Sequence, residues 1–105
     1  MSRRPPGRRD AIEAALRHLA PRLPAFELGV VADRALDSRG LATAAPGEAA
    51  WLALVSTARH EKTDYDALLH EGYDHDSARF FVRDPTNAAL AAWGCRRRVT
   101  GLEVE

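Results

Sequence analysis

Prolines and glycines recur along this chain at intervals too short for a long helix. Pro21, Pro24, Pro46 and Pro85 each fall where a helix begins, ends or bends, because proline lacks the N–H donor and clashes with the preceding turn. Between them, apolar residues recur at the three- and four-residue spacing of a helix face. The pattern predicts an all-α protein, a compact orthogonal bundle of about five short helices joined by brief turns.

Local signals place these helices along the chain. Asp10 is predicted to cap the first, and Thr63 the fourth, with Asp66 as capping-box partner. Residues 49–58 are apolar nearly all round, which indicates a central buried helix. Gly29 predicts a close helix–helix approach, and Pro85 leaves the fifth helix either kinked or split. The predicted helices run from Asp10 to Pro21, Pro24 to Gly40, Pro46 to Arg59, Thr63 to Gly72, and Asp76 or Ser77 to Gly94.

Length and composition predict one domain with two tails. The 105 residues fit a single domain. Residues 1–9 are expected to form a disordered basic tail, residues 10–94 the helical domain, and residues 95–105 a C-terminal tail of strand or coil. No apolar run approaches the ~20 residues of a membrane span, and no signal peptide is visible. With Cys95 as the single cysteine, a disulfide within the chain is excluded, and the expected location is cytoplasmic.

The net charge of zero hides a local asymmetry. Residues 1–22 carry six arginines against two acidic residues, and residues 60–76 carry six acidic residues against one lysine. Overall neutrality argues against a protein whose main task is to coat nucleic acid or an anionic membrane. A nucleic-acid or anion-binding patch built from the two arginine-rich ends stays open. Its candidates are Arg3, Arg4, Arg8, Arg9, Arg96, Arg97 and Arg98.

The second half of the chain carries a distinctive string. It consists of Arg59-His60, Thr63-x-Tyr65-Asp66, Leu68-Leu69, Gly72, Ala78-Arg79 and Trp93. This string resembles the bacterial and fungal domain of unknown function 2293, and the likeness extends over roughly residues 23–93. The resemblance implies a compact domain and no particular activity, because the family has none assigned. Pro85 departs from it, since an unbroken helix is expected there.

The same region supplies the candidate catalytic residues. In one interpretation Arg59 and Arg79 hold an anion, His60 shuttles a proton, Tyr65 donates a hydrogen bond, and Asp66 completes the pocket. In the other, Arg79 pairs with Asp66 or Asp64 and the residues form a polar clamp between helices.

A divalent metal is the remaining candidate cofactor. The candidate ligands are His60, Asp66, His70 and His75, with Asp66 and His70 four residues apart on one helix face. The opposing interpretation is that these carboxylates cap helices or are solvated.

No serine, threonine or cysteine lies in the setting of an activated nucleophile, so the function predicted first is a small non-enzymatic helical binding module. Its partner would be a protein, a second copy of itself, or nucleic acid. Phe80 and Phe81 support association, because adjacent aromatic residues on a helix are both buried only if the helix is covered on two sides. The alternative is a small metal-dependent or anion-handling enzyme that uses the cluster from His60 to Asp76.

Overall fold

A computed structural model describes residues 7–102. Within them the chain forms six α-helices, one short 3-10 turn and no β-strand, which confirms the predicted all-α bundle. None of these helices is long and apolar enough to cross a membrane. The helices are α1 (Arg8–Leu19), α2 (Ala25–Asp37), α3 (Pro46–Lys62), α4 (Tyr65–His70), α5 (His75–Phe81) and α6 (Arg83–Ala92), and the 3-10 turn is Arg39–Leu41.

Helix α3 is the centre of the bundle. It packs against α1, α2 and α6, as its apolar composition predicts. Leu54 is fully buried, and Ile12 and Leu16 from α1, Val31 from α2 and Leu90 from α6 are fully buried in the same core. Burial of this kind stabilises a domain by about 1.5–3 kcal/mol per large aliphatic side chain.

Helix α1 begins at Arg8, two residues before the predicted start. Gly7 is extended and serves as the N-cap, and Asp10 in the first turn accepts a hydrogen bond from the Gly7 N–H at 3.2 Å. The Asp10 carboxylate therefore satisfies a backbone donor from inside the helix rather than from the capping position. Arg8 and Arg9, assigned to the tail by the sequence, lie in the helix, and residues 1–6 lie outside the described part of the chain.

The predicted fifth helix is split in two at Val82, which separates α5 from α6. Pro85 is the third residue of α6, where the N–H that it lacks has no intrahelical acceptor in any case. The proline therefore fits the first turn of a new helix. The break turns α5 into a short element that packs against α4.

Helices α4 and α5 form a second, smaller core. Tyr65, Ala78 and Val82 are buried together, with Leu68 and Leu69 packed against them. This cluster is distinct from the main core around α3. The helical hairpin of α4 and α5 thus forms a unit at one side of the bundle.

The C-terminal segment is coil and packs on the helices. Cys95, Val99 and Gly101 are buried. Asn87 of α6 holds Val99 through two hydrogen bonds, and the Gly101 backbone lies against Phe80 of α5. Residues 95–101 therefore belong to the packed domain rather than to a free tail.

Candidate functional site

The end of α3 and the start of α4 bring Arg59, His60, Tyr65 and Asp66 together. Thr63 makes the turn between the helices: its hydroxyl donates to the Arg59 carbonyl at 2.5 Å and accepts from the Tyr65 N–H at 3.1 Å. The N-cap of α4 is Asp64 rather than the predicted Thr63, although the Thr63 hydroxyl still bonds the N–H of Tyr65, the first residue of α4. Asp66 is not its capping partner, because its carboxylate lies 2.5 Å from His60 Nδ1 instead.

Tyr65 is the buried centre of this group, with 2% of its surface exposed. Its hydroxyl lies 2.9 Å from His75 Nδ1. The Arg59 guanidinium carbon lies 5.3 Å from the Tyr65 ring centroid, and the His60 ring meets the Tyr65 ring edge-on at 5.2 Å. The ring is covered and its hydroxyl bonded, so Tyr65 joins α3, α4 and α5.

Arg79 pairs with neither Asp64 nor Asp66, the partners that the polar-clamp interpretation gives it. Its guanidinium binds Asp76, one turn earlier on α5. The pair is therefore local to one helix. Arg79 lies on the buried side of α5 beside Ala78, with 9% of its surface exposed.

Among the four candidate metal ligands, one contact joins His60 and Asp66. His75 contacts Tyr65, and His70 is exposed at the end of α4. Across residues 7–102, no three His, Cys, Asp or Glu side chains group closely enough to hold a metal ion.

Asp74 acts as the N-cap of α5. Its Oδ1 accepts from the Ser77 N–H at 2.7 Å. This hydrogen bond, which favours the charged carboxylate, lowers the pKa of Asp74 below its usual value. The sequence placed this cap at Asp76 or Ser77, so the helix begins earlier than predicted.

The arginines at the start of α1 contact neighbouring parts of the protein. Arg8 Nη2 donates to the Leu41 carbonyl at 2.8 Å. Arg9 reaches Asp33 at 2.7 Å and Glu13 at 2.9 Å, and the hydrogen bond to Asp33 raises the pKa of Arg9. Arg3 and Arg4 lie outside the described residues.

The C-terminal arginines lie near the other end of α1. Arg96 and Arg97 line a cavity with His18 at the end of that helix. His18 is ten residues from Arg8, which corresponds to about 15 Å of helix. Arg97 stacks on Trp51 at 4.2 Å and lies 4.0 Å from Glu48. The structure therefore places Arg8 and Arg9 at the opposite end of α1 from Arg96 and Arg97.

Three aromatic side chains form a surface on the α4–α5 hairpin, here called the aromatic surface: Tyr73, Phe80 and Phe81. Their exposed fractions are 44%, 48% and 59%. Tyr73 and Phe81 meet edge-on at 5.5 Å, and the Phe80 and Phe81 rings lie 6.4 Å apart. Phe80 and Phe81 are both exposed, because α5 buries its Ala78 and Arg79 side instead.

A shallow depression of about 480 Å³ adjoins Phe81. Glu61 and Asp64 line it together with apolar Leu68 and Val82. Lys62 also lines it and lies 3.8 Å from Glu27 of α2. Sequence reasoning missed this depression and Tyr73, although the acidic charge of residues 60–76 pointed to the region.

Comparison with known proteins yields one match, to a family model. A family model described as an uncharacterised conserved protein, DUF2293, matches residues 15–94. No curated protein and no solved structure matches the chain.

Proposed function

Because the chain belongs to the DUF2293 family, described only as uncharacterised, we propose a function from its surface: a non-enzymatic protein-binding module. Its partner is a basic protein segment that carries apolar side chains. The observation that carries the proposal is the aromatic surface beside an acidic depression. We propose the cytoplasm as its location, since the single Cys95 is a free, buried thiol.

The aromatic surface has the composition of a binding site. Tyrosine and phenylalanine are enriched in protein interfaces, where burial of their rings supplies much of the binding energy. The edge-on contact of Tyr73 with Phe81 restricts both rings before any partner arrives. Less side-chain freedom is then lost on binding.

The charge around this surface favours a basic partner. Glu61 and Asp64 face the depression, and Asp74 and Asp76 are exposed on the same hairpin. Asp76 already binds Arg79, and Arg83 lies over the Phe80 ring, so part of this negative charge is compensated. Glu61 and Asp64 are the carboxylates that we assign to an arginine or lysine of the partner. Phe81 also lines the depression, so its aromatic ring is available for a cation–π contact with an arginine bound there.

The contacts of the candidate catalytic residues support the non-enzymatic interpretation. Tyr65 is buried and its hydroxyl is bonded to His75, while Asp66 contacts His60. These contacts engage three of the five candidate catalytic side chains, His60, Tyr65 and Asp66, in connections between helices. The small enzyme remains the alternative, and it would require this group to open.

Nucleic-acid binding receives less support from the geometry. Arg9 already contacts two carboxylates, and Arg97 contacts Trp51 and Glu48. Arginines engaged in this way contribute less to phosphate binding, because those contacts must be replaced. Nucleic acid is therefore the competing outcome of the test.

The test is fluorescence anisotropy with a labelled peptide of alternating arginine and leucine. A matched peptide carries glutamine in place of arginine. We expect the basic peptide to bind and the glutamine peptide to bind at least about tenfold more weakly. Phe81→Ser is expected to weaken binding of the basic peptide about tenfold, as for a central interface aromatic.

Phe26→Ser is the matched control, because Phe26 is 82% exposed on α2 and lies outside the aromatic surface. Equal binding by wild type and Phe81→Ser contradicts the proposal, as does failure of the basic peptide to bind. A labelled DNA duplex is titrated in parallel. Salt-sensitive DNA binding that survives Phe81→Ser and is lost in Arg96→Ala/Arg98→Ala would favour the nucleic-acid alternative.

A further inference from the structure

A second cavity, on another part of the bundle, has different chemistry. It is a groove of about 300 Å³ between the end of α2, the 3-10 turn and α3. We propose that this groove binds a small carboxylate with a short apolar chain. The site is separate from the aromatic surface and does not depend on the proposed protein binding.

The walls of the groove are mainly apolar. Trp51, Leu52 and Val55 of α3 form one side, Leu41 of the 3-10 turn lies opposite, and Val99 of the C-terminal segment also contributes. Asn87 fixes Val99 in place through its two hydrogen bonds. A groove with these walls gains free energy by covering an aliphatic chain.

The polar side of the groove carries positive charge and hydroxyl groups. Arg34 in the last turn of α2, Ser38 at its C-cap and Ser56 of α3 line it. Among residues 7–102, no aspartate or glutamate lines the groove. The groove therefore attracts an anionic head group and offers it hydrogen-bond donors.

Arg34 differs from the arginines described above because its hydrogen-bond partner is a neutral hydroxyl group. It is half-buried, and its guanidinium donates to the neutral Ser56 hydroxyl at 3.1 Å. Within residues 7–102 it forms no ion pair with a carboxylate, whereas Arg9 and Arg97 each do. A partly desolvated cation with a neutral partner gains free energy when a carboxylate reaches it.

Arg59 also lines the groove, but its guanidinium lies over the Tyr65 ring. Arg34 is therefore the cation that we assign to the ligand. The volume is at the lower limit for ligand sites, about 300 Å³. That size suits a single short chain better than a nucleotide or a polycyclic molecule.

The test uses octanoate, with octanol as the uncharged probe of the same chain length. Binding is followed by NMR through the Trp51 indole N–H and the backbone amides of Leu41 and Ser56. We expect saturable shifts at these groups with octanoate and binding of octanol at least about tenfold weaker. Arg34→Gln is expected to reduce octanoate affinity to that of octanol.

Arg39→Gln is the matched control, because Arg39 is exposed and is not among the lining residues. The comparison of octanoate with octanol on the wild-type protein needs no variant, so an unfolded variant cannot mask the result. Equal affinity for the two probes overturns the proposal, because the charge would then play no part. The absence of saturable octanoate shifts overturns it as well, and so does octanoate binding retained in Arg34→Gln.

Discussion

Asn87 binds Val99 with both ends of its side-chain amide. The amide nitrogen donates to the Val99 carbonyl at 2.9 Å, and the amide oxygen accepts from the Val99 N–H at 2.8 Å. The amide thus satisfies the backbone N–H and carbonyl of Val99, as a neighbouring β-strand would do for a residue in a sheet. One asparagine therefore determines where the C-terminal segment crosses the bundle.

We expect Asn87→Ala to release this crossing. Two hydrogen bonds at about 1 kcal/mol each place the loss of unfolding free energy near 2 kcal/mol. Hydrogen exchange at the Val99 amide should accelerate by more than exchange in α3. Asn87→Asp, which keeps an acceptor for the Val99 N–H, should retain part of its protection. Unchanged Val99 exchange in Asn87→Ala would show that other contacts hold the segment.

The Asp74 cap predicts a pH dependence. Hydrogen bonding lowers the pKa of Asp74 in the folded protein, so the cap stabilises the fold above the unfolded pKa of 3.8. This contribution is lost as the pH falls through the lower, folded pKa. Asp74→Ala should lower the Tm at neutral pH, and the difference from wild type should shrink in strong acid. Asp84→Ala, which removes an exposed first-turn carboxylate of α6 that makes no capping hydrogen bond, provides the comparison.

Gly29 is expected to be replaceable, contrary to the close approach predicted from the sequence. A Cβ at this position would meet nothing within 4 Å. Gly29→Ala should therefore raise the unfolding free energy by about 1 kcal/mol, the difference in helix propensity. Denaturant unfolding measures it.

Gly94→Ala is the opposite control, because Gly94 has a φ of +84° and its Cβ would lie 3.1 Å from Pro21 Cγ. The left-handed backbone alone costs about 1–2 kcal/mol. If Gly94→Ala were neutral and Gly29→Ala destabilising, the packing of both positions would be other than described.

The pair of His60 and Asp66 should contribute little to stability. Both side chains are substantially exposed, by 37% and 62%, and exposed pairs are worth about 0–1 kcal/mol. A double-mutant cycle with His60→Gln and Asp66→Asn measures the coupling, which should decrease at high salt. Thr63→Ala, which removes the bonds in the turn, should cost more than either. Coupling of several kcal/mol would indicate a less solvated pair.

Helical periodicity was sufficient to predict the all-α class, and the nearly all-round apolar composition of residues 49–58 predicted the central position of α3. Local capping signals were less reliable, because Asp10 and Asp66 both have partners other than those the spacing indicated. The sequence around Pro85 was compatible with a kinked helix and with two separate helices, because both accommodate a residue that lacks a backbone N–H. The structure shows that the helix breaks at Val82, between α5 and α6.

The residues that carry the two proposals were harder to find in the sequence. Arg34 is unusual because no carboxylate of residues 7–102 pairs with it. Whether a carboxylate reaches an arginine depends on distant parts of the chain, which the local sequence does not reveal. Tyr73 follows a glycine turn and carries no periodic signal of its own. The Asn87–Val99 contact joins a helix to a segment without any pattern. Such long-range pairings are set by packing, which one-dimensional spacing does not encode.

The separate core of α4 and α5 has a consequence for dynamics. Tyr65, Ala78 and Val82 pack with one another rather than with the main core. We therefore expect the hairpin to unfold locally as a cooperative unit before the rest of the bundle. The aromatic surface lies on this hairpin. A partner that binds there would stabilise the closed hairpin, and slower hydrogen exchange of the amides in α4 and α5 would measure its affinity.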